Sequence, residues 1–95
     1  MGAPGYQRRT DDGVIGTSGR ALRVFGLNIV SGGAGGIVAL KNGAVIGATT
    51  TISETGTAGG GRYIDFGPEG VLFDGGCYAD IDANTTAITV VYQAL

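Results

Sequence analysis

Short apolar runs alternate with glycine-rich or polar turns along most of the chain. The runs are "ALRVFGLNIV", "IVALKNGAVIGATTTI", "RYIDF", "VLF", "CYADID" and "AITVVYQAL". No segment carries an apolar stripe with the roughly 3.6-residue period of a helix. Thr, Val and Ile together account for 26 residues, as is typical of strands. Turn signals recur about every eight to twelve residues. We therefore predict an all-β protein, a small antiparallel β-sandwich or jelly-roll-like barrel of about seven or eight strands.

The strongest local turn signal is Asn42-Gly43, which lies between two apolar runs. Both central residues of a type I′ turn need positive φ, and Asn and Gly adopt it at the lowest cost. The pattern predicts a two-residue hairpin loop that pairs Lys41 with Ala44 and Leu40 with Val45.

The first 20 residues are polar and rich in glycine, and they are predicted to form an extended N-terminal arm ahead of a single domain, residues 21–95. Tyr6, Arg8 and Arg9 are residue types common at interfaces, so we expect them to contact a neighbouring molecule. The alternative is a disordered terminus.

Two glycine clusters, at residues 32–36 and 58–61, each lead into a strand. Because glycine carries no side chain, these loops are predicted to let backbones approach closely or bend sharply.

Several predicted strands are apolar on both faces, in contrast to the run from Cys77 to Asn84, which alternates between apolar and polar residues. A small antiparallel sheet covers one face with its own core, so a second apolar face predicts a homo-oligomer. The alternative is that these strands lie in the middle of a tightly packed sandwich. The predicted subunit-interface residues are Phe25, Leu27, Ile37, Ala39, Ile46 and Tyr92.

The composition argues against catalysis and against several classes of partner. The chain has no histidine, its three serines have no neighbouring base, and the single Cys77 is expected to be a buried, reduced thiol. We predict no enzyme activity and no cofactor. A net charge of −2 with only six basic residues disfavours nucleic acid. No apolar stretch approaches the roughly 20 residues of a membrane helix, so no membrane association is predicted.

A short acidic row, Asp80, Asp82 and Asn84, matches the start of a calcium loop. The match ends at Thr85 and Val91, where an EF-hand loop needs Gly and Glu. A solvated strand face is the favoured interpretation, and calcium bound between subunits stays open.

The segments "ALRVFGLNIVSGGAGGIVALKNGAVIG" and "IDFGPEGVLFDGGCYADIDANTTAITVVYQAL" resemble the small glycine-rich β-proteins of tailed bacteriophage virions, which act as capsid decoration or cement proteins. The resemblance implies a homotrimer on the capsid surface, bound to the major capsid protein, with an N-terminal arm that reaches onto the shell. It also implies a virion location after assembly in the bacterial cytoplasm. No motif in residues 1–20 identifies the docking partner.

A second hypothesis is a carbohydrate-binding module of a phage head or tail fibre. Such a site needs an exposed aromatic ring near acidic groups. The candidates are Tyr63 or Tyr78 beside Asp65, Asp80 and Asp82.

Overall fold

The computed structural model describes residues 5–95 as two antiparallel β-sheets, with no helix in that range. The strands are β1 (Gly5–Arg9), β2 (Gly13–Ile15), β3 (Leu22–Ser31), β4 (Ile37–Asn42), β5 (Thr49–Thr55), β6 (Gly61–Asp65), β7 (Val71–Phe73), β8 (Cys77–Ile81) and β9 (Thr85–Ala94). The prediction of an all-β antiparallel sandwich is confirmed.

The strand order identifies the topology. One sheet has the order β1-β9-β3-β6, with β7 also paired to β3, and the other has the order β2-β8-β4-β5. The chain passes repeatedly between the sheets, so that its first and last strands lie side by side. Counting β6 and β7 as one interrupted strand, this is the eight-stranded order of a jelly roll.

A bulge in β3 explains why that strand appeared apolar on both faces. Its pairing with β9 shifts register between Val24 and Gly26. A bulge adds one residue, so the alternation of side chains changes phase at that point. As a result Leu22, Val24, Leu27 and Ile29 are all buried. Leu27, predicted at a subunit interface, lies fully inside the core instead, and that prediction is wrong.

The core fills the space between the two sheets. Phe73 is the largest fully buried side chain. The other members of the cluster are Ile15, Leu22, Val24, Leu27, Ile29, Val38, Leu40, Ile52, Cys77, Ala79, Ile88 and Val90. The predicted burial of Cys77 is confirmed, and this burial raises the pKa of its thiol to about 12.

The β4–β5 hairpin differs from its prediction. Leu40 pairs with Ile52 and Asn42 with Thr49, so the loop is residues 43–48 and the two-residue turn is wrong. No residue other than glycine has positive φ among residues 5–95, which excludes a type I′ turn at Asn42. The Asn42 side chain holds the loop before β8 instead: its Nδ2 donates to Asp74 Oδ1 at 2.7 Å, and its Oδ1 accepts from the Gly75 N–H at 2.8 Å.

Residues from Gly5 onward in the expected arm belong to the sandwich. β1 pairs with β9 in one sheet, and β2 pairs with β8 in the other. The Gln7 side chain connects the sheets, because its Nε2 donates to Val14 O at 3.0 Å and its Oε1 accepts from the Gly16 N–H at 2.8 Å. The rest of the predicted arm, residues 1–4, lies outside the described residues.

The two glycine clusters meet at one end of the sandwich, where the Gly59 N–H donates to Gly32 O at 2.5 Å. The Gly56 N–H donates to Gly36 O at 2.7 Å, and the Gly32 N–H donates to Asn84 O at 2.9 Å. A Cβ atom at Gly36 would lie 2.0 Å from Thr85 Oγ1 and 2.7 Å from Thr85 N. Close contact between backbones therefore requires glycine at this position.

Candidate binding surface

The outer face of the five-stranded sheet carries most of the exposed apolar surface. Five of the eight large hydrophobic residues that are exposed within residues 5–95 lie there. We call this surface the tyrosine face and define it by Tyr6, Val30, Tyr63, Leu72 and Leu95. Side chains alternate along each strand, so these residues point away from the core while their neighbours point into it.

Cross-strand pairing positions the two tyrosines. Tyr6 on β1 pairs with Val91 on β9, and Tyr63 on β6 pairs with Asn28 on β3. The Tyr63 ring extends over Gly26, where an added Cβ would lie 2.0 Å from the tyrosine hydroxyl. The absent side chain at Gly26 therefore lets the ring lie against the sheet. The Tyr6 and Tyr63 side chains are 78% and 57% exposed.

Charged and polar groups border the tyrosine face. Arg8 lies two residues from Tyr6 on β1 and is exposed. On the opposite edge, Asp65 Oδ1 accepts from the Gly67 N–H at 2.8 Å. A depression of about 380 Å³ lies near the C-terminus, lined by Arg23, Phe25, Pro68, Glu69, Gln93 and Leu95. Exposed aromatic side chains together with arginine and other polar groups are typical of protein-binding surfaces.

The remaining predicted interface residues do not form one surface. Phe25 is half-buried and lines the depression beside the tyrosine face. Ile37 and Ile46 are exposed, but they lie on β4 and in the β4–β5 loop. Ala39 is half-buried on the outer face of the four-stranded sheet, and Tyr92 packs against the core from β9.

The residues predicted to contact a capsid separate into two groups. Tyr6 and Arg8 lie on the outer face of β1, whereas Arg9 turns toward β2. The Arg9 guanidinium donates to Asp11 O, Asp12 O and Asp11 Oδ1 at 3.1, 3.1 and 2.9 Å. Arg9 therefore stabilises the β1–β2 connection, and its expected role in docking stays a prediction.

The three residues of the acidic row have separate surroundings in the structure, and calcium bound between subunits stays a hypothesis. Asp80 makes an ion pair with Lys41 at 3.4 Å on the outer face of the four-stranded sheet. Asp82 lies beyond the end of β8, where its Oδ1 accepts from the Asn84 N–H at 3.1 Å and from Thr85 Oγ1 at 3.2 Å. Within residues 5–95 no group of three or more His, Cys, Asp or Glu residues is placed to hold a metal ion.

A second depression, of about 520 Å³, is acidic, and Asp11, Asp12 and Asp82 are among its lining residues. Each carboxylate already has a structural partner. Asp12 Oδ1 accepts from the Ile81 N–H at 2.8 Å, and the other two bind Arg9 and the turn before β9. These carboxylates stabilise loops.

Comparison of the chain with protein-family models, with curated proteins and with solved structures finds no match. In the part of the chain that the structure describes, no helix is long and apolar enough to cross a membrane. The functional argument therefore depends on the chemistry of this chain's own surfaces. The tyrosine face is the surface whose chemistry is best suited to binding.

Proposed function

We propose that this protein is a structural component of a bacteriophage virion, a decoration protein that binds the outside of the capsid and stabilises it as a homotrimer. The observation that carries the proposal is the gathering of Tyr6, Val30, Tyr63, Leu72 and Leu95 on one sheet face. Exposed aromatic residues, which are enriched at protein–protein interfaces, support a role for this face in binding. The resemblance of residues 21–95 to virion proteins gives the partner its class, the major capsid protein.

The physical role follows from where such a contact forms. Burying apolar surface stabilises a contact by roughly 25 cal/mol per Å² before the costs of association are subtracted. A protein that binds only the assembled shell shifts the equilibrium toward that shell. A β-sheet face suits this role because its side chains are fixed by the strands before binding.

The residues divide between two surfaces in this proposal. Tyr6, Arg8 and Tyr63 contact the shell, with Phe25 at the edge of the contact. The contacts between subunits of the trimer involve Ile37 and Ala39 on β4 and Ile46 in the β4–β5 loop.

The test uses particles of a phage whose genome encodes this chain. We expect mass spectrometry of purified virions to detect the protein, and deletion of its gene to lower the heat and chelator resistance of the particles. Supplying the Tyr6→Ala/Tyr63→Ala double variant should restore much less resistance than the wild type. Tyr78→Ala, which changes a half-buried tyrosine of the other sheet, is the control. Virions that lack the protein, or deletion particles of unchanged resistance, contradict the proposal.

A specific observation also favours the carbohydrate alternative at one position. Tyr63 is exposed, and Asp65 follows it on the same face of β6. Exposed aromatic rings beside carboxylates can stack on sugars and bind their hydroxyls. Tyr78, the other candidate, is half-buried near the Lys41–Asp80 ion pair, so the alternative now depends on Tyr63. Binding on a glycan array that Tyr63→Ala abolishes and Tyr78→Ala preserves would favour this function over capsid decoration.

A further inference from the structure

The Asn42-Gly43 step at the end of β4 has no part in the proposed function, and its chemistry is unusual within this chain. Asparagine followed by glycine is prone to spontaneous deamidation, because glycine has no side chain to shield its backbone nitrogen. The chain has three asparagines, and Asn42 is the one that glycine follows. Asn28 and Asn84 precede β-branched residues, whose side chains hinder the same reaction.

Deamidation at this step is a reaction between neighbouring groups of the chain. The Gly43 nitrogen bonds to Asn42 Cγ, the Cγ–Nδ2 bond breaks, and ammonia leaves with the proton that the Gly43 nitrogen carried. Water then opens the resulting succinimide ring at either carbonyl and gives aspartate or isoaspartate at position 42. The attack therefore requires a free Gly43 N–H and an Asn42 side chain that can rotate toward it.

In the folded chain both reacting groups have other partners. The Gly43 N–H donates to Gly76 O at 3.0 Å. Asn42 Nδ2 donates to Asp74 Oδ1 at 2.7 Å, and Asn42 Oδ1 accepts from the Gly75 N–H at 2.8 Å. These hydrogen bonds direct the nucleophile and the leaving group toward the loop between β7 and β8 and not toward each other.

We propose that Asn42 is a deamidation site which the fold protects, and that the hydrogen bond from Asn42 to Asp74 provides the protection. The reaction takes place in a locally opened state, in which the end of β4 separates from residues 74–76. Asp74 and Gly75 are exposed and Asn42 is half-buried, so water reaches this end of the sandwich. Segments with exposed backbone hydrogen bonds open at a lower free energy than the whole molecule unfolds. The proposal does not depend on the capsid role.

The product of the reaction destabilises the contact that protected the site. Asn42 donates to the Asp74 carboxylate, whereas an ionised aspartate at position 42 has no donor and brings a second carboxylate to the first. Two like charges so close together repel each other. Isoaspartate also lengthens the backbone by one carbon atom, which displaces Gly43 from Gly76. Because the ammonia is lost, the altered end of β4 accumulates with time.

The first test measures deamidation at each asparagine by peptide mass spectrometry, after incubation of the full chain in mildly alkaline buffer. Asn42 should deamidate readily in the guanidinium-unfolded chain and slowly in the folded chain. Asp74→Ala should raise the rate in the folded chain about tenfold, the factor that a hydrogen bond to a charged group contributes. A folded Asp74→Ala variant with the wild-type rate overturns the proposal.

Two further variants separate local protection from a general loss of stability. Asp65→Ala removes another exposed carboxylate that accepts from a backbone N–H, and it should leave the rate at Asn42 unchanged. Gln7→Ala removes hydrogen bonds at a distant connection between the sheets. For the same loss of unfolding free energy it should raise the rate less than Asp74→Ala does. Rates that follow global stability alone in every variant contradict the proposal.

The second test introduces the reaction product directly and does not require Asp74→Ala to fold. Asn42→Asp should lower the urea midpoint, and added salt should recover part of the loss because it screens the two carboxylates. Asn28→Asp is the matched control, since Asn28 is also half-buried and pairs with Tyr63 and Thr89, which carry no carboxylate. An Asn42→Asp variant as stable as the wild type, or a loss that the control shares, contradicts the proposal.

Discussion

Close contacts with both backbone and side-chain atoms require glycine at two positions at one end of the molecule. Gly36 lies against Thr85, and a Cβ at Gly56 would lie 2.2 Å from Ser31 Oγ. Ser31 Oγ in turn accepts from the Gly36 N–H at 3.0 Å. At these positions even a methyl group has no space.

We expect Gly36→Ala to lower the free energy of unfolding by about 3 kcal/mol, because the added methyl group meets the backbone of Thr85. Gly33→Ala is the control, since nothing lies within 4 Å of a Cβ at Gly33 and its φ is not positive. The control should change stability by less than about 1 kcal/mol. Urea unfolding of both variants measures the difference, and similar losses would show that the close approach is not the cause.

The buried thiol of Cys77 makes stability depend on pH at the alkaline end. Its pKa rises from 9.0 to about 12 through burial, so the folded state holds the proton more tightly than the unfolded state. This contribution is fully present below pH 9.0 and is lost as pH rises toward 12. Cys77→Ala removes it. We expect the free energy of unfolding to fall as the pH is raised from below 9.0 into the range 9.0 to 12, and to fall less for the variant than for the wild type. Equal decreases would contradict the assignment.

At the scale of secondary-structure elements, bulges and short loops decide which face of a strand is buried. The bulge at Phe25 lies opposite the interruption between β6 and β7, where the Phe66 N–H donates to Phe25 O at 2.9 Å. The Phe25 ring occupies the space that a Cβ at Gly70 would enter, with its Cδ1 atom 2.9 Å away. The loop of residues 66–70 therefore accommodates the bulge.

The Gln7 side chain is expected to hold β1 against β2. Gln7→Ala leaves the Gly16 N–H without its acceptor and removes one donor to Val14 O, so we expect a loss of about 1–3 kcal/mol in unfolding free energy. Arg8→Ala, one residue further on the exposed face, is the control and should have little effect. Thermal unfolding of the two variants is the measurement. An equal loss of unfolding free energy in the two variants would show that the Gln7 hydrogen bonds do not stabilise the protein.

At the scale of the whole molecule, the two ends of the chain complete both sheets. β1 lies beside β9 and β2 beside β8, so the early strands cover long, apolar strands from the middle and end of the chain. The molecule has principal extents of 38 × 28 × 17 Å and a single core between the sheets. We infer that its unfolding is cooperative.

A chain truncated to residues 21–95 tests this arrangement. We expect it to lose cooperative unfolding, because β9 and β8 lose their neighbours and Ile15 leaves the core. Circular dichroism with thermal melting is the measurement. A truncated chain that unfolds as cooperatively as the full chain would support the predicted N-terminal arm, separate from a domain of residues 21–95.

Local patterns correctly predicted the class of fold and the positions of most strands. These patterns are β-branched composition, turn spacing and the lack of a helical period. They are properties of short segments, so they can be identified from the sequence alone. The close approach of the glycine loops was predictable for the same reason. The placement of Tyr6 and Tyr63 on one face of the same sheet was not predicted, because it needs the order of β1, β9, β3 and β6 across the sheet.

The errors share a physical origin. The periodicity of β3 conceals the bulge at Phe25, so Leu27 was assigned to the wrong face. Asn42 resembles a turn residue, but its side chain bonds to Asp74, which is distant in sequence, and this contact exists only in the folded chain.

The sequence by itself determined that this chain forms antiparallel strands with a buried thiol and glycine-rich connections, since backbone propensity and side-chain size act locally. The tertiary structure decided which apolar residues are enclosed and which remain on the tyrosine face. Burial depends on strand order, register and bulges, and these arise when distant segments of the chain pack together.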